Sequence, residues 1–599
     1  MEIPPGLIYF ILNFHRLMLP PALAYCAIRL LHTITGISLS EGFHVPLYIA
    51  SLPLAFTSTV LYAEYNDKRQ AAARGAVLAP RVQSRWPGGL DILAKLVGNF
   101  KGGDMMNNEM QIHGNTINIR TLFENRIFTT EPEYIKAILA TQFNSFAKGP
   151  LFWDQVNSLL GTGVFNSDGD MWKFHRSMTR PFFNKDRISH FDIFEKHAED
   201  AINQTKARLR EGYPIDFQDM VSRFTLDSAT EFLFGKDVCS LSAGLIYPAS
   251  SPLSKSVAFK NHPANIFAHA FAEAQIAAAY RGSFGSFWRL FEFGSDRIKK
   301  HMNICYQFID PILKEALQKK KDTKKLAGNN ADAKEREVNE GETLLDHLVN
   351  YTEDPVVIRD EILNIMIAGR DTTAGTLTFI VYMLSQHPKV LLRLREEILN
   401  KIGSSKRPSY DEMRDMKYMR AVINETLRLY PSPSERTFCS YFFSRTTTES
   451  VILPAINGGK PIYVPPNTRM PYSVFLMHRR KDLWGPDAEE FDPDRFLDER
   501  LHKYLTKNPF IFAPFNAGPR ICLGQQFAYN EMSYFLVRLL QTFSTVSLAT
   551  DTQAPPPAEW AKATGRKAIE KVVIKAHLTM YAPDGVWVKM GEASHVEVV

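Results

Sequence analysis

The sequence predicts a mainly α-helical protein with a minor β part, preceded by an N-terminal transmembrane anchor. Three observations carry this. Apolar residues recur at three-to-four spacing over 188–209, 217–234, 267–293 and 356–384, the period of a helix with one buried face. Alternating or strand-like residues are confined to 114–130 and 451–464, so β structure is short and local. Residues 42–63 run 22 positions without Asp, Glu, Lys or Arg. At about 1.5 Å per residue such a run crosses a ~30 Å hydrocarbon core.

The first 63 residues are therefore expected to form the anchor region, with 42–63 as its best span. Pro46 and Pro53 keep a buried core helix open as the other reading of that run. The earlier apolar stretch, 3–28, is interrupted by Arg16 and several prolines, and is expected to enter the interface or to form a weaker span. A basic leader and a small-residue cleavage site are both missing, which disfavours a removed signal peptide. After Ala63 come Lys68, Arg69, Arg74, Arg81 and Arg85 against Glu64 and Asp67. By the positive-inside rule the following body faces the cytosol. Residues 64–89 contain Pro80 and Pro87-Gly88-Gly89 and read as a basic hinge, so the body is expected to occupy 90–599. Within it, 240–261 is rich in Ser, Pro and Ala and reads as a surface loop, and 318–342 is charged low complexity.

Composition excludes several classes. Hydrophobic residues make up 45% and charged residues 22%, a globular balance, and 41 Phe supply material for a core or an apolar cavity. Lys and Arg number 70 against 64 Asp and Glu, for a net +6, too mild for a nucleic-acid partner. The five cysteines are Cys26, Cys239, Cys305, Cys439 and Cys522, with no pair close enough for a zinc knuckle or a Cys-x-x-Cys redox motif.

The decisive stretch is Phe515-Asn-Ala-Gly518-Pro-Arg520-Ile-Cys522-Leu-Gly524. Ala528, Met532, Phe535 and Leu539 follow at helical spacing, which places Cys522 just ahead of a helix N-terminus. Free N–H groups there, with Arg520 nearby, are expected to favour the thiolate. Gly518 and Gly524 flank the sulfur, where a side chain would block a flat ligand. A lone thiolate so placed suits an axial metal ligand, and haem iron accepts a single cysteinate.

Phe-x-x-Gly-x-Arg-x-Cys-x-Gly resembles the haem-binding signature of the cytochrome P-450 family, matched at every fixed position. Further motifs fall in the order the family would have. Glu425-Thr-Leu-Arg428, followed by Pro493-Asp-Arg495-Phe496, is similar to its buried Glu–Arg–Arg cluster, a structural role. Ala368-Gly369-Arg370-Asp371-Thr372-Thr373 lies in a long helical run, where Gly369 and the threonines are expected to permit a local bulge. The bland account of those threonines is back-bonding to helix carbonyls. Trp172-Lys-Phe-His-Arg176 resembles the family's Trp-x-x-x-Arg helix, and His175 reads as a packing or surface residue.

The resemblance implies a cytochrome P-450 fold with haem b, bound through Cys522 as the metal ligand. It implies that Trp172, Arg176, Arg436 and Arg520 grip the propionates, and that Phe515 and Gly524 complete the cofactor loop. Thr372 would orient water on the distal side of the haem, and Asp371 would relay protons from solvent. The activity implied is insertion of one oxygen atom of O2 into a hydrophobic substrate. Electrons would come from an NADPH-dependent reductase or a cytochrome b-type donor, with Lys503 and Lys507 as candidates to steer it, at the cytosolic face of the endoplasmic reticulum membrane. The stretches 362–379 and 515–528 look closest to the fungal branch that hydroxylates alkanes and fatty acids, a branch that also oxidises aromatic xenobiotics. Substrate contacts are expected near 159–165, 267–293 and 432–438. Two other classes stay open: a haem-thiolate isomerase, against which the Asp371-Thr372 pair argues, and a non-enzymatic haem binder, which gives that pair no purpose.

Overall fold

The computed structural model describes residues 3–98, 105–183, 191–327, 342–432, 444–456, 458–576 and 578–594. Two apolar helices come first, α1 (Pro5–Thr35) and α2 (His44–Ala73). Both are long and apolar enough to cross a membrane, and neither buries any of its apolar window against the protein. α1 continues through Pro20 and Pro21, so the expected interruption does not occur. α2 runs ten residues past Ala63. The rest of the expected hinge is fastened to the body: Val77 bridges Ile462, Arg81 bridges Asn118, and Ala76, Ala79 and Val82 are buried. Residues 64–89 thus form a strap.

The β part is small. β1 (Thr116–Thr121) and β2 (Glu124–Thr129) make the hairpin expected over 114–130. Leu122 and Phe123 turn it with φ of 51° and 66°, the left-handed pair that a two-residue hairpin turn demands. β3 (Phe146–Ala147), β4 (Ser444–Thr447) and β5 (Arg469–Pro471) complete a five-stranded sheet in the order β1-β2-β5-β4-β3. Residues 451–464 form a separate hairpin, Val451–Leu453 against Ile462–Val464.

Trp587–Glu592 pairs with Ile215–Asp216 on one side and Phe543–Leu548 on the other, and Lys575–Ala576 pairs with Met580–Tyr581; most of the remaining body is helical. The elements that matter below are α3 (Gly169–Thr179), α4 (Asp192–Arg210), α5 (Phe217–Phe234), α6 (Pro263–Ser283), α7 (Arg297–Ala327), α8 (Pro355–Gln386), α9 (Lys417–Leu429) and α10 (Gln525–Thr542). α5 starts where Asp216 accepts from the Gln218 and Asp219 amides and stops at Gly235, with φ of 72°. α8 starts on an Asp354 cap and is buried along most of its length, packed on α5, α9 and α10. The run expected as one helix over 267–293 ends at Ser283 and continues in short turns. The 240–261 loop is tied down, because Arg208 donates to the Leu245 and Ile246 carbonyls and Arg223 to Ser240. Of the charged stretch, α7 carries helix as far as Ala327, and 328–341 lie outside the described residues.

One buried cluster fixes the segment that leads to Cys522. Glu425, Arg428 and Arg495 are almost wholly inaccessible. Arg428 binds both oxygens of Glu425, at 2.7 and 2.8 Å, and donates to the carbonyls of His478, Ala488 and Glu490. Arg495 Nε lies 3.5 Å from Glu425, and its other nitrogens reach the Trp484 carbonyl and Asp487. His478 continues the chain: Nδ1 lies 3.1 Å from the Arg428 carbonyl, and Nε2 accepts from the Ala513 amide. Burial and Arg428 hold its pKa down at about 3. It is therefore a neutral imidazole that links the cluster to the segment before Phe515.

Glu425→Gln would leave two guanidiniums in the interior without their carboxylate. Breaking a buried ion pair from one side costs about 3–5 kcal/mol. The thermal midpoint of purified protein should fall accordingly, whereas Lys503→Gln on the surface should leave it unchanged.

Candidate active site

A large cavity lies between α8 and the Cys522 loop, walled by residues from most of the body. The loop is built from backbone first. The Cys522 amide donates to the Phe515 carbonyl at 3.0 Å, and the Ile521 amide to Gly518. Asn516, at φ 65°, accepts from the Tyr472 hydroxyl. Gly518, at φ 67°, passes so close to the Leu139 carbonyl that any Cβ would overlap it. Its glycine is required by that crossing and not, as expected, by approach of a ligand. Phe515 lies against Tyr529 and lines the cavity.

Cys522 stands two residues before Gly524, the N-cap of α10. Its side chain is open to the cavity and enclosed by protein elsewhere. Burial pushes the thiol above its ordinary pKa, while the Gly524 N–H and Arg176 pull the other way. The expectation that the helix end favours the thiolate is therefore overturned by desolvation, which costs an anion more than one N–H and a partly buried guanidinium return.

Cations rim the same cavity. Arg176 reaches from α3 to the Ile521 carbonyl at 2.9 Å. Arg520 donates to the Ser167 carbonyl and to Asp168 at 2.7 Å, and its pKa is drawn down to about 10 by burial and by Arg445. Trp172 lies under both guanidiniums, 4.6 Å from Arg520 and 5.8 Å from Arg176. Sequence reasoning missed two further cations, Lys148 before α3 and Arg445 on β4, both buried and both lining the cavity. Lys148 is held well below its ordinary pKa by burial, Arg445 and Arg520. Lys148 and Arg445 stand almost three hundred residues apart in the chain, so no local spacing could have announced that they meet. Arg436 lies in 433–443, outside the described residues.

The opposite wall is α8, which contributes Ile365, Ala368, Gly369, Thr372, Thr373 and Thr376. The helix is continuous here, and the expected bulge is absent. Thr372 Oγ1 donates to the Ala368 carbonyl at 2.6 Å, and Thr376 to Thr372. That back-bonding keeps a threonine-rich turn helical. Asp371 points elsewhere: it accepts from Gln275 of α6 at 2.8 Å and lies 3.3 Å from Arg370. Gln275 carried no signal in the sequence. His175 is buried, with Nδ1 2.8 Å from Glu361, in the packing role expected. Of the stretches expected at the substrate, Val164, Phe165 and Ser432 line the cavity, and none of 267–293 does so. Phe232, Leu233 and Leu578 line it instead.

The arrangement is a sulfur on one face, a threonine-bearing helix on the other and cations at the rim. A model of the cytochrome P450 family matches residues 93–570. The chain belongs to the cytochrome P450 family. Curated relatives include cytochrome P450 52A4 of Candida maltosa, 36% identical over 461 residues that span 75% of this chain and 79% of the relative. Cytochrome P450 52-M1 of Starmerella bombicola is 34% identical over 546 residues, 87% of this chain and 95% of its own. The cytochrome P450 monooxygenase pvhE of Talaromyces variabilis is 34% identical over 505 residues, 80% and 83%. The chain is accordingly an oxygenase whose cofactor is haem b, held by a cysteine thiolate.

The residues present fit that cofactor. Gly369 and Gly524 face the cavity from opposite walls, and neither is demanded by its own backbone. A Cβ at Gly369 would meet only Ala229 at 3.8 Å, and one at Gly524 only Phe183 at 3.7 Å. Both are ordinary contacts, so what these glycines keep clear is the cavity. The cationic rim suits a ligand that carries carboxylates, and the remaining lining is largely apolar.

Gly369→Ala separates the two demands. Alanine is preferred to glycine inside a helix by about 1 kcal/mol, so the haem-free protein should melt no lower than wild type. Its haem content on reconstitution should fall several-fold, read by pyridine haemochrome.

Behind α8, Glu531 of α10 is fully buried, with the Thr373 hydroxyl as the one polar group that acts on its carboxylate. Burial raises its pKa to about 8, opposed only by the Thr373 hydroxyl. The folded state therefore binds this proton more tightly than the unfolded chain, where a glutamate titrates near 4.5. The stability it contributes is complete below pH 4.5 and is lost as pH rises through 8. The thermal midpoint of wild type should drop between pH 6 and 9, and Glu531→Gln should flatten that decline.

Proposed function

We propose that this chain is a membrane-bound haem-thiolate monooxygenase that hydroxylates long-chain alkanes or fatty acids. Electrons would reach it from an NADPH-dependent reductase, or from a cytochrome b-type donor, at the cytosolic face of the endoplasmic reticulum. The observation that carries the reading is the cavity in which Cys522 faces Thr372 across an apolar space rimmed by Lys148, Arg176, Arg445 and Arg520. Cys522 would hold the haem iron through its thiolate, with Phe515 and Gly524 shaping its loop. Arg176, Arg520 and Trp172 would hold the propionates, joined by Arg436. When bound, the haem supplies activation of O2 for insertion into a C–H bond.

The chain's own part is to position, to exclude water and to deliver protons. Coordination to a metal ion removes the thiol proton that burial otherwise retains on Cys522. Cleaving the O–O bond of O2 consumes two protons inside a pocket that shuts water out. Thr372 Oγ1 stores one against the Ala368 carbonyl and can turn it into the cavity. Asp371, the neighbouring residue, would renew it after exchanging Gln275 for solvent, which makes α6 a participant in the relay.

Phe165, Phe232, Leu233, Ile365 and Leu578 offer the substrate only hydrocarbon. That lining and the likeness to fungal 52-type relatives favour an aliphatic chain over a polar substrate. Two apolar helices outside the body support access to compounds dissolved in lipid. Lys503 and Lys507 are exposed and available to an acidic redox partner.

A carbon-monoxide difference spectrum of dithionite-reduced membranes tests the ligand. Wild type should give the red-shifted thiolate Soret band, and Cys522→Ala should lose it. Reconstituted with reductase and NADPH, wild type should then convert dodecane to dodecanol, or lauric acid to a hydroxylauric acid. A folded, haem-loaded wild type with only an imidazole-type band would refute the assignment.

A further inference from the structure

We propose that α1 and α2 form a two-span membrane hairpin, with the start of α1 on the same side of the bilayer as the catalytic body and the Gly36–Phe43 turn on the far side. This inference rests on the membrane reading above and goes further than the sequence, which left the first apolar stretch unassigned.

Both helices return to the body. α1 leaves it at a foot where Gly6 abuts Phe293 so closely that a Cβ would overlap the ring. Tyr9 and Phe10 lie 6.1 Å from Phe287 and Phe293 there. α2 re-enters at a second foot, where Phe56 meets Phe123 edge-on at 4.8 Å and Glu64 pairs with Arg81 and Arg120. Between the feet the helices run side by side, with Tyr25 and Tyr48 6.5 Å apart. Two antiparallel helices joined by a short turn, each long enough to span, put both feet on one face of a bilayer.

The charges agree with that register. Nine residues before Tyr25, Arg16 stands level with residue 57 of α2, and counting back from the turn places it level with residue 63. Arg16 therefore sits level with the last two turns of α2 before its own charges begin, at Glu64, Asp67, Lys68 and Arg69, within reach of that interface for a long side chain. The 19 residues from 17 to 35 then cover about 28 Å at 1.5 Å per residue. The other basic side chain, Arg29, lies six residues from the turn and can extend to the far headgroups. The turn itself holds Glu41 and neither Lys nor Arg, the composition of a translocated loop. Near the first foot, Ile11, Leu12, Phe14, Phe291 and Phe293 are at least half exposed. That apolar platform suits the acyl boundary of the leaflet from which the hairpin rises.

Glycosylation mapping of the full chain decides the matter. In an Asn203→Gln background, which removes the native Asn203-Gln-Thr205 acceptor, an Asn-x-Thr site is placed either in a glycine-serine extension of the 36–43 turn or in one ahead of Met1. Expressed with microsomes, the turn variant should gain an endoglycosidase-sensitive mass shift and the front variant none. Modification of the front variant alone would show a single span with α1 outside, and overturn the hairpin. Modification of both, or of neither with the protein resistant to carbonate, would also overturn it. Neither modified and the protein released by carbonate would instead overturn the membrane reading itself.

Discussion

The carboxylate of Glu425, shared between Arg428 and Arg495, is the constraint on which the rest of the body depends. Two guanidiniums in a dry interior must spend their donors, and one carboxylate accounts for only part of them. The others go to the carbonyls of His478, Trp484, Asp487, Ala488 and Glu490. A segment with little regular structure is thereby held as firmly as a sheet holds a strand. The Asp492 amide also donates to Glu425, so the segment is gripped at both ends. The cluster costs desolvation energy that packed hydrocarbon would not, and what it secures is geometry. Through neutral His478, that geometry reaches Ala513, two residues before Phe515, whose carbonyl fixes Cys522.

Charge is arranged oppositely on the two sides of the cavity. At the rim, burial and the charge of Arg445 lower the proton affinity of both Lys148 and Arg520, with Asp168 as the carboxylate bound to Arg520. At the back, Glu531 is kept protonated by burial alone. Both states are unfavourable for an isolated interior and follow from placing ionisable groups where water is excluded. The rim charges gain a reason once a dianionic, flat cofactor is considered, because its carboxylates would supply the counter-charge. Cys522 fits the same logic, since its thiolate is disfavoured by the protein and favoured by a metal ion.

Much of this was legible in the sequence, and what was legible was local. The Cys522 loop, the Asp371-Thr372 turn, the Glu425–Arg428 pair and Trp172–Arg176 each lie within ten residues, where spacing and helical period determine which side chains share a face. The boundaries of α5 matched the apolar period because Asp216 and Gly235 punctuate it. What could not be read arises from contacts across the chain. Lys148 and Arg445 gain meaning only when β3 and β4 pair, and Gln275 only when α6 crosses α8. The pKa of Cys522 depends on how completely the loop is enclosed, which no spacing states. The strap at 64–89 looked like a hinge because Pro and Gly disfavour regular structure, but disfavouring helix does not prevent docking on a sheet edge.

α8 brings these threads together, because its wall must be open, helical and able to move a proton at one place. Gly369 leaves room at the cavity and costs helix stability; the threonines that follow are poor helix formers as well. Their hydroxyls repair the deficit by bonding to the carbonyls four residues back. Under the proposed function that same bond is where the Thr372 proton would be held, and turning it into the cavity would cost the helix one partly buried hydrogen bond. A stronger helix former at 372 would stabilise α8 and hold no such proton. The local weakness of the helix and its chemical use are therefore one property, and the continuity of α8 through Gly369 is maintained by the same oxygen that the relay would borrow.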